Sequence, residues 1–139
     1  MREFFIIGVD NRYLDGGGAA NNAYSNKFLN SNEQKWIIEP LTGADADWVK
    51  LKCVGNGLYL DGQSPNDGNA NVYTNSSLDN DNQKWKIVYT GYLALYYLEN
   101  KAGHRLLNFS YQDNNVTVKI PADATLGRNQ QFDFRPVGF

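Results

Sequence analysis

The 139-residue sequence predicts an all-β domain, a barrel of six strands capped by three hairpins, and three observations carry that expectation. The apolar runs are short and rich in Val, Ile, Leu, Tyr and Phe, a paired marker recurs three times, and Asn and Gly crowd the segments between the runs.

The runs read as strands. Phe4 to Val9, Trp48 to Val54, Trp85 to Tyr89 and Tyr92 to Leu98 are too short for packed helices and carry no helical period. Eighteen Asn and 13 Gly cluster between them, where turns need left-handed backbone angles and local side-chain hydrogen bonds.

The repeat supplies the architecture. Asn11-Arg12-Tyr13-Leu14-Asp15-Gly16 returns as Gly57-Leu58-Tyr59-Leu60-Asp61-Gly62 and again as His104-Arg105-Leu106-Leu107-Asn108-Phe109. Downstream, Gln34-Lys35-Trp36 returns as Gln83-Lys84-Trp85 and as Gln130-Gln131-Phe132. Between the second and third copies every marker shifts by 47, so an ungapped alignment sets Val118 and Ile120 opposite Asn71 and Tyr73. Between the first and second, the markers shift by 46 and then 49, which places three extra residues in a connecting loop of the second copy. Such an insertion costs little closure entropy.

One domain over residues 1–139 is expected, with repeats at about 1–45, 46–91 and 92–139. Three such units must close on one another, because closure removes the exposed strand edges. Alternation then points Leu14, Leu60 and Leu107 inward, with Trp36, Trp85 and Phe132 as apolar plugs and Ile38, Ile87 and Phe134 as a third layer. Trp48 lies outside the repeated marker and receives no role.

Composition excludes several functions. Thirteen basic against 15 acidic side chains, with no basic cluster, lack the footprint of a nucleic-acid binder. The single cysteine, Cys53, cannot form an intrachain disulfide or a Cys-based zinc site, and its apolar surroundings make it a buried small hydrophobe. No metal or cofactor is expected. No apolar stretch reaches the roughly 20 residues that span a bilayer. The N-terminus carries no signal-peptide pattern, so a cytoplasmic location or release without a classical leader is the expectation, and the sequons at Asn75, Asn108 and Asn115 are read as chance matches.

Repeated Gln-x-Trp triplets in phase with a Leu-Asp turn resemble the ricin B-type β-trefoil lectins, over about residues 4 to 136. The resemblance implies a β-trefoil and a sugar site in each repeat. Such a site joins an Asp after the turn, an aromatic ring, a polar residue two before the ring and a polar pair ahead of the Trp. The first copy supplies Asp15, Asn22, Tyr24, Glu33 and Gln34, and the second Asp61, Asn71, Tyr73, Asn82 and Gln83. The third keeps only Asn129 and Gln130, with Asn108 in place of the Asp and Tyr111 as a substitute ring.

The chemistry suits a pyranose. The ring stacks on its C–H face, the carboxylate accepts hydroxyl protons, and amides both donate and accept. Glu33, standing where the second repeat has Asn82, brings a second carboxylate near Asp15, so the first site is expected to be weaker or tuned to another sugar. The implied partners are glycans or glycoproteins ending in galactose or N-acetylgalactosamine, with a homodimer or a toxin chain as further protein partner.

Catalysis is not expected. His104 reads as a solvated turn residue with no Ser or Cys motif around it, and only Asp15 with Glu33 could form a hydrolytic carboxylate pair. The competing class is a protein-binding trefoil such as a protease inhibitor, which needs one exposed loop instead of a site repeated with the symmetry.

Overall fold

The computed structural model describes residues 2–17, 21–63, 68–110, 113–121, 123–124 and 127–138. Tyr111, the substitute ring of the third repeat, lies outside the described residues.

The described strands are β1 (Glu3–Ile7), β2 (Tyr13–Asp15), β3 (Tyr24–Asn26), β4 (Trp36–Pro40), β5 (Val49–Cys53), β6 (Tyr59–Asp61), β7 (Ala70–Asn71), β8 (Tyr73–Asn75), β9 (Trp85–Tyr89), β10 (Tyr96–Asn100), β11 (Arg105–Phe109), β12 (Val116–Lys119) and β13 (Asp133–Pro136). Six of them close a ring. β1 pairs with β4, β4 with β5, β5 with β9 and β9 with β10. Tyr96 and Phe132 then exchange two backbone bonds of 2.9 and 2.8 Å at the entry to β13, which returns to β1. The hairpins β2–β3, β6–β8 and β11–β12 complete the β-trefoil.

The core follows the repeat. Leu14, Leu60 and Leu107, and Trp36, Trp85 and Phe132, are fully buried, while Ile38, Ile87 and Phe134 are partly buried and pack against them. Each indole donates its N–H to the leucine carbonyl of its own repeat, Trp36 to Leu14 and Trp85 to Leu60, both at 3.0 Å. Phe132 needs no such acceptor. Cys53 is buried as expected, and burial pushes its thiol pKa up, away from reactivity. Trp48 is a buried plate beneath two cations, with Lys86 Nζ 4.5 Å and Lys101 Nζ 5.8 Å from its ring.

The hairpins meet on the pseudo-threefold axis. Asn22 bridges to Tyr73, Asn71 to Thr117 and Asn115 to Tyr24. Between them Ala23, Val72 and Val116 are buried, with Ala23 N donating to Val72 O and Val72 N to Val116 O. The third copy of the Asn-x-Tyr segment is therefore Asn115-Val116-Thr117, which corrects the ungapped placement of Val118 and Ile120. Register explains the error. Asp15 faces Tyr24 nine positions on, Asp61 faces Tyr73 twelve positions on, and Asn108 faces Thr117 nine positions on. The second hairpin carries a three-residue insertion, and the third repeat recovers those residues after its hairpin, so the downstream markers fall back into phase.

Candidate functional site

Each candidate site grows from one cross-strand pair. Asp15 at the end of β2 lies opposite Tyr24 at the start of β3, and Asp61 lies opposite Tyr73 in the same way. Residues directly opposite in an antiparallel pair share a face, so the acid and the ring stand side by side.

A buried glutamine fixes each acid from below. Gln34 Nε2 donates to Asp15 Oδ2 at 3.3 Å and to Lys27 O at 2.8 Å, while its Oε1 accepts from Leu29 N at 2.9 Å. Gln83 repeats the pattern, with Asp61 Oδ2 at 3.0 Å, Ser76 O at 2.8 Å and Leu78 N at 2.9 Å. The other carboxylate oxygen caps the following turn, Asp15 Oδ1 accepting from Gly17 N at 2.9 Å and Asp61 Oδ1 from Gln63 N at 2.8 Å. Gln34 and Gln83 are fully buried, so they brace the site instead of lining it. Each carboxylate thus spends one lone pair per oxygen on the protein and retains capacity for another donor.

Around Asp15 the surface is concave. Asp15, Tyr24, Leu29, Ser31 and Glu33 line a cleft of about 270 Å³. Glu33 sits in the 3₁₀ turn Asn32–Gln34, its carbonyl accepting from Gly16 N at 2.8 Å. In the second repeat, Asn82 holds the same place in the turn Asp81–Gln83 and accepts from Gly62 N at 2.9 Å. Burial, reinforced by the neighbouring carboxylate, raises the pKa of both rings: Asp15 and then Glu33 act on Tyr24, and Asp61 acts on Tyr73. Both rings therefore stay neutral phenols, suited to stacking.

Two expected ligands lie elsewhere. Asn22 and Asn71 close a ring with Asn115: Asn71 Nδ2 donates to Asn22 Oδ1 at 2.6 Å, Asn115 Nδ2 to Asn71 Oδ1 at 2.7 Å, and Asn22 Nδ2 to Asn115 Oδ1 at 3.3 Å. These amides knit the three hairpins together on the axis. The cause is the bridge pairing, which sets each Asn beside the next repeat instead of beside its own acid.

The third position carries a different pair among the described residues. Asn108 accepts from Gln130 Nε2 and donates to Thr117 Oγ1 at 3.2 Å, so its amide is turned toward a hydroxyl where the other repeats have a ring. Asn129 occupies the middle of the turn Arg128–Gln130.

Other participants were missed by the sequence reading. Leu29 and Ser31 line the first cleft, and Asn26 and Asn75 hydrogen-bond the hydroxyls of Tyr24 and Tyr73. Their signal lay in the repeat itself, as Tyr24-Ser25-Asn26 beside Tyr73-Thr74-Asn75, and Leu29 and Leu78 each five before a glutamine. Arg105 gave no signal. It is fully buried, and its guanidinium donates to Gly62 O at 3.0 Å, Gln63 O at 3.1 Å, Gly68 O at 3.1 Å and Asn100 Oδ1 at 3.0 Å. Asn100 in turn donates to Asn82 O at 2.9 Å, so two linked side chains of the third repeat, Arg105 and Asn100, grip both loops of the second site.

His104 is exposed and pairs with Glu99 at 2.7 Å. Among the described residues no group of three or more His, Cys, Asp or Glu is placed to hold a metal ion, and no helix is long and apolar enough to cross a membrane.

Comparison with known proteins agrees with this fold. The family model described as a ricin-type β-trefoil lectin domain-like unit matches residues 32–121. No curated protein matches the sequence. Among solved structures, the designed threefold-symmetric protein ThreeFoil superposes with a TM-score of 0.81 at 24% identity, over 96% of this chain and 97% of its own. The exo-β-1,3-galactanase 1,3Gal43A from Clostridium thermocellum gives 0.84 at 18% identity, over 99% of this chain, which spans 30% of that enzyme's length. SeviL, solved with an asialo-GM1 saccharide, gives 0.73 at 10% identity over 96% of both chains.

Proposed function

The chain belongs to the ricin-type β-trefoil lectin domain-like family, and we propose that it binds galactose- or N-acetylgalactosamine-type glycans without catalysing their breakdown, at the cleft beside Asp15 and at the equivalent position beside Asp61, called the second cleft below. The observation that carries this reading is the duplicated unit of a buried, glutamine-braced carboxylate facing a half-buried tyrosine, Asp15 with Tyr24 and Asp61 with Tyr73.

The unit matches the ligand class. A pyranose offers an apolar C–H face to the phenol ring and hydroxyl donors to the carboxylate lone pairs left over by Gln34 or Gln83 and the turn amide. Glu33 or Asn82 stands at the rim to read a further hydroxyl. The proposal is confined to the first two repeats, where an acid pairs with a tyrosine; in the third, Asn108 faces Thr117 instead. Shallow single-sugar sites of this kind bind in about the millimolar to micromolar range, and two on one rigid body raise avidity by about 10² to 10⁴ where both engage one surface.

Repetition also argues against presentation of one inhibitory loop. A glycan array read with wild type, Tyr24→Ala, Tyr73→Ala and the double variant tests the reading, with free-sugar competition. Each single variant should keep part of the signal and the double variant none. A blank array for the wild type, together with inhibition of a protease panel, would overturn it.

A further inference from the structure

Resting on the reading above, we propose that the two clefts differ in ligand class: the first selects a sugar carrying a free, protonated amine, the second takes neutral sugars, and Glu33 decides the difference.

The first cleft is built to be negative. Asp15 and Glu33 both line it, beside Tyr24, Leu29 and Ser31, and no basic side chain does. Lys35, the nearest cation along the chain beyond Glu33, directs its Nζ to Asn32 Oδ1 at 3.2 Å. The field of both acids reaches the ring, since Asp15 and Glu33 each add to the upward shift of the Tyr24 hydroxyl.

Glu33 is also held in place. Its side chain lies on Gly55, where an added Cβ would come within 2.9 Å of Glu33 Cγ and Cδ, and its backbone is pinned by Gly16. Any larger residue at position 55 would displace that stem.

Donor counting then picks the ligand. Ionised Glu33 only accepts, and Asp15 already takes one donor on each oxygen, so a neutral hydroxyl brought to the gap between them offers one proton and carries its own lone pairs. An ammonium offers three donors, no acceptor and a positive charge, and it is also drawn to the face of a tyrosine. In the second cleft Asn82 replaces Glu33 with a neutral amide that donates as well as accepts, which suits hydroxyl and acetamido groups.

Amide-resolved NMR titration of the labelled protein separates the clefts, with Gly16 and Gly17 reporting the first and Gly62 and Gln63 the second. The probes are D-galactosamine, D-galactose, N-acetyl-D-galactosamine and methylammonium, at pH 6. At the first cleft galactosamine should bind about tenfold more tightly than galactose, consistent with a charge-assisted bond at a partly exposed site. Glu33→Asn should bring the ratio of the two dissociation constants close to one, and in wild type the ratio should shrink between 0.05 and 0.5 M salt. The second cleft should show no preference for the amine.

Equal affinity for both sugars at the first cleft, a preference that survives Glu33→Asn or high salt, or methylammonium binding as tightly as galactosamine would each overturn the proposal. Galactose binding at both clefts without amine preference would sink this inference alone. Silence of both clefts toward every sugar would remove the lectin reading with it.

Discussion

Gln83 Nε2 stands 3.0 Å from Asp61 Oδ2, and that one bond ties the placing of a buried acid at the site to the packing of the core, because the same glutamine is fully buried and Trp85, two residues on, plugs the barrel. Gln83→Leu leaves Asp61 Oδ2, Ser76 O and Leu78 N without their partner. It should destabilise the fold by about 2 to 4 kcal/mol and abolish glycan binding at the second cleft while the first retains it. Urea unfolding with cleft-resolved titration checks this. A variant that lost stability but kept second-cleft affinity would disconnect the brace from the site.

The asparagine ring predicts a purely structural effect. Asn71→Ala removes a donor and an acceptor at once, leaving Asn22 Oδ1 and Asn115 Nδ2 unpaired at the axis. A loss of about 1 to 3 kcal/mol is expected, visible as a lowered calorimetric midpoint, with sugar affinity nearly unchanged. Selective loss of second-cleft binding at unchanged stability would instead return Asn71 to the ligand set.

Arg105 should act across a repeat boundary. Arg105→Met strips the carbonyls of Gly62, Gln63 and Gly68 of their common donor and should weaken the second cleft at least tenfold, with a stability loss of about 3 kcal/mol or more, while the first cleft keeps its affinity. Arg105→Lys should rescue only part, since an ammonium lacks the planar fork that reaches several carbonyls together. Equal losses at both clefts would reduce Arg105 to a general packing residue.

Charge near Asp45 sets a pH window. Hydrogen bonds from Lys101 and Lys84 hold the Asp45 carboxyl below its ordinary range, and Asp45 in turn raises both lysines. A lowered acid contributes stability that is complete above the unfolded aspartate value of about 3.9 and disappears as pH falls through the lowered one. Raised lysines contribute below about 10.4 and lose it as pH climbs through their higher values. The melting-temperature gap between wild type and Asp45→Asn should hence be flat from about pH 5 to 10 and close outside that window. A gap that failed to narrow as pH fell below about 3.9 would refute the assignment.

Much of this was readable from the residues, and the rest was hidden for definite reasons. Leu14, Trp36 and their counterparts announce themselves because burial selects residue type at fixed spacing, so the barrel and its threefold order follow from the repeat. Asp15 with Tyr24, and Asp61 with Tyr73, were legible only through the family resemblance, since the partners lie nine and twelve positions apart and only the strand register sets each acid against its ring. Asn22 and Asn71 were misplaced because spacing along one strand says nothing about a bridge to the next repeat, which only the closed assembly creates. Thr117 was missed because two compensating three-residue shifts leave the flanking markers in phase. Arg105 was invisible because a chain of letters does not reveal which carbonyls come to surround a buried cation.

The pairing of β1 with β13 sets Phe4 against Pro136, so the polypeptide enters and leaves the barrel at adjacent points. Joining those ends and cutting the ring elsewhere, for instance in the loop between β9 and β10, would yield a permuted protein with the same neighbours throughout. The same closeness would let the whole unit be spliced into a loop of an unrelated host, whose two cut ends need part by little more than the spacing of neighbouring strands, about 5 Å.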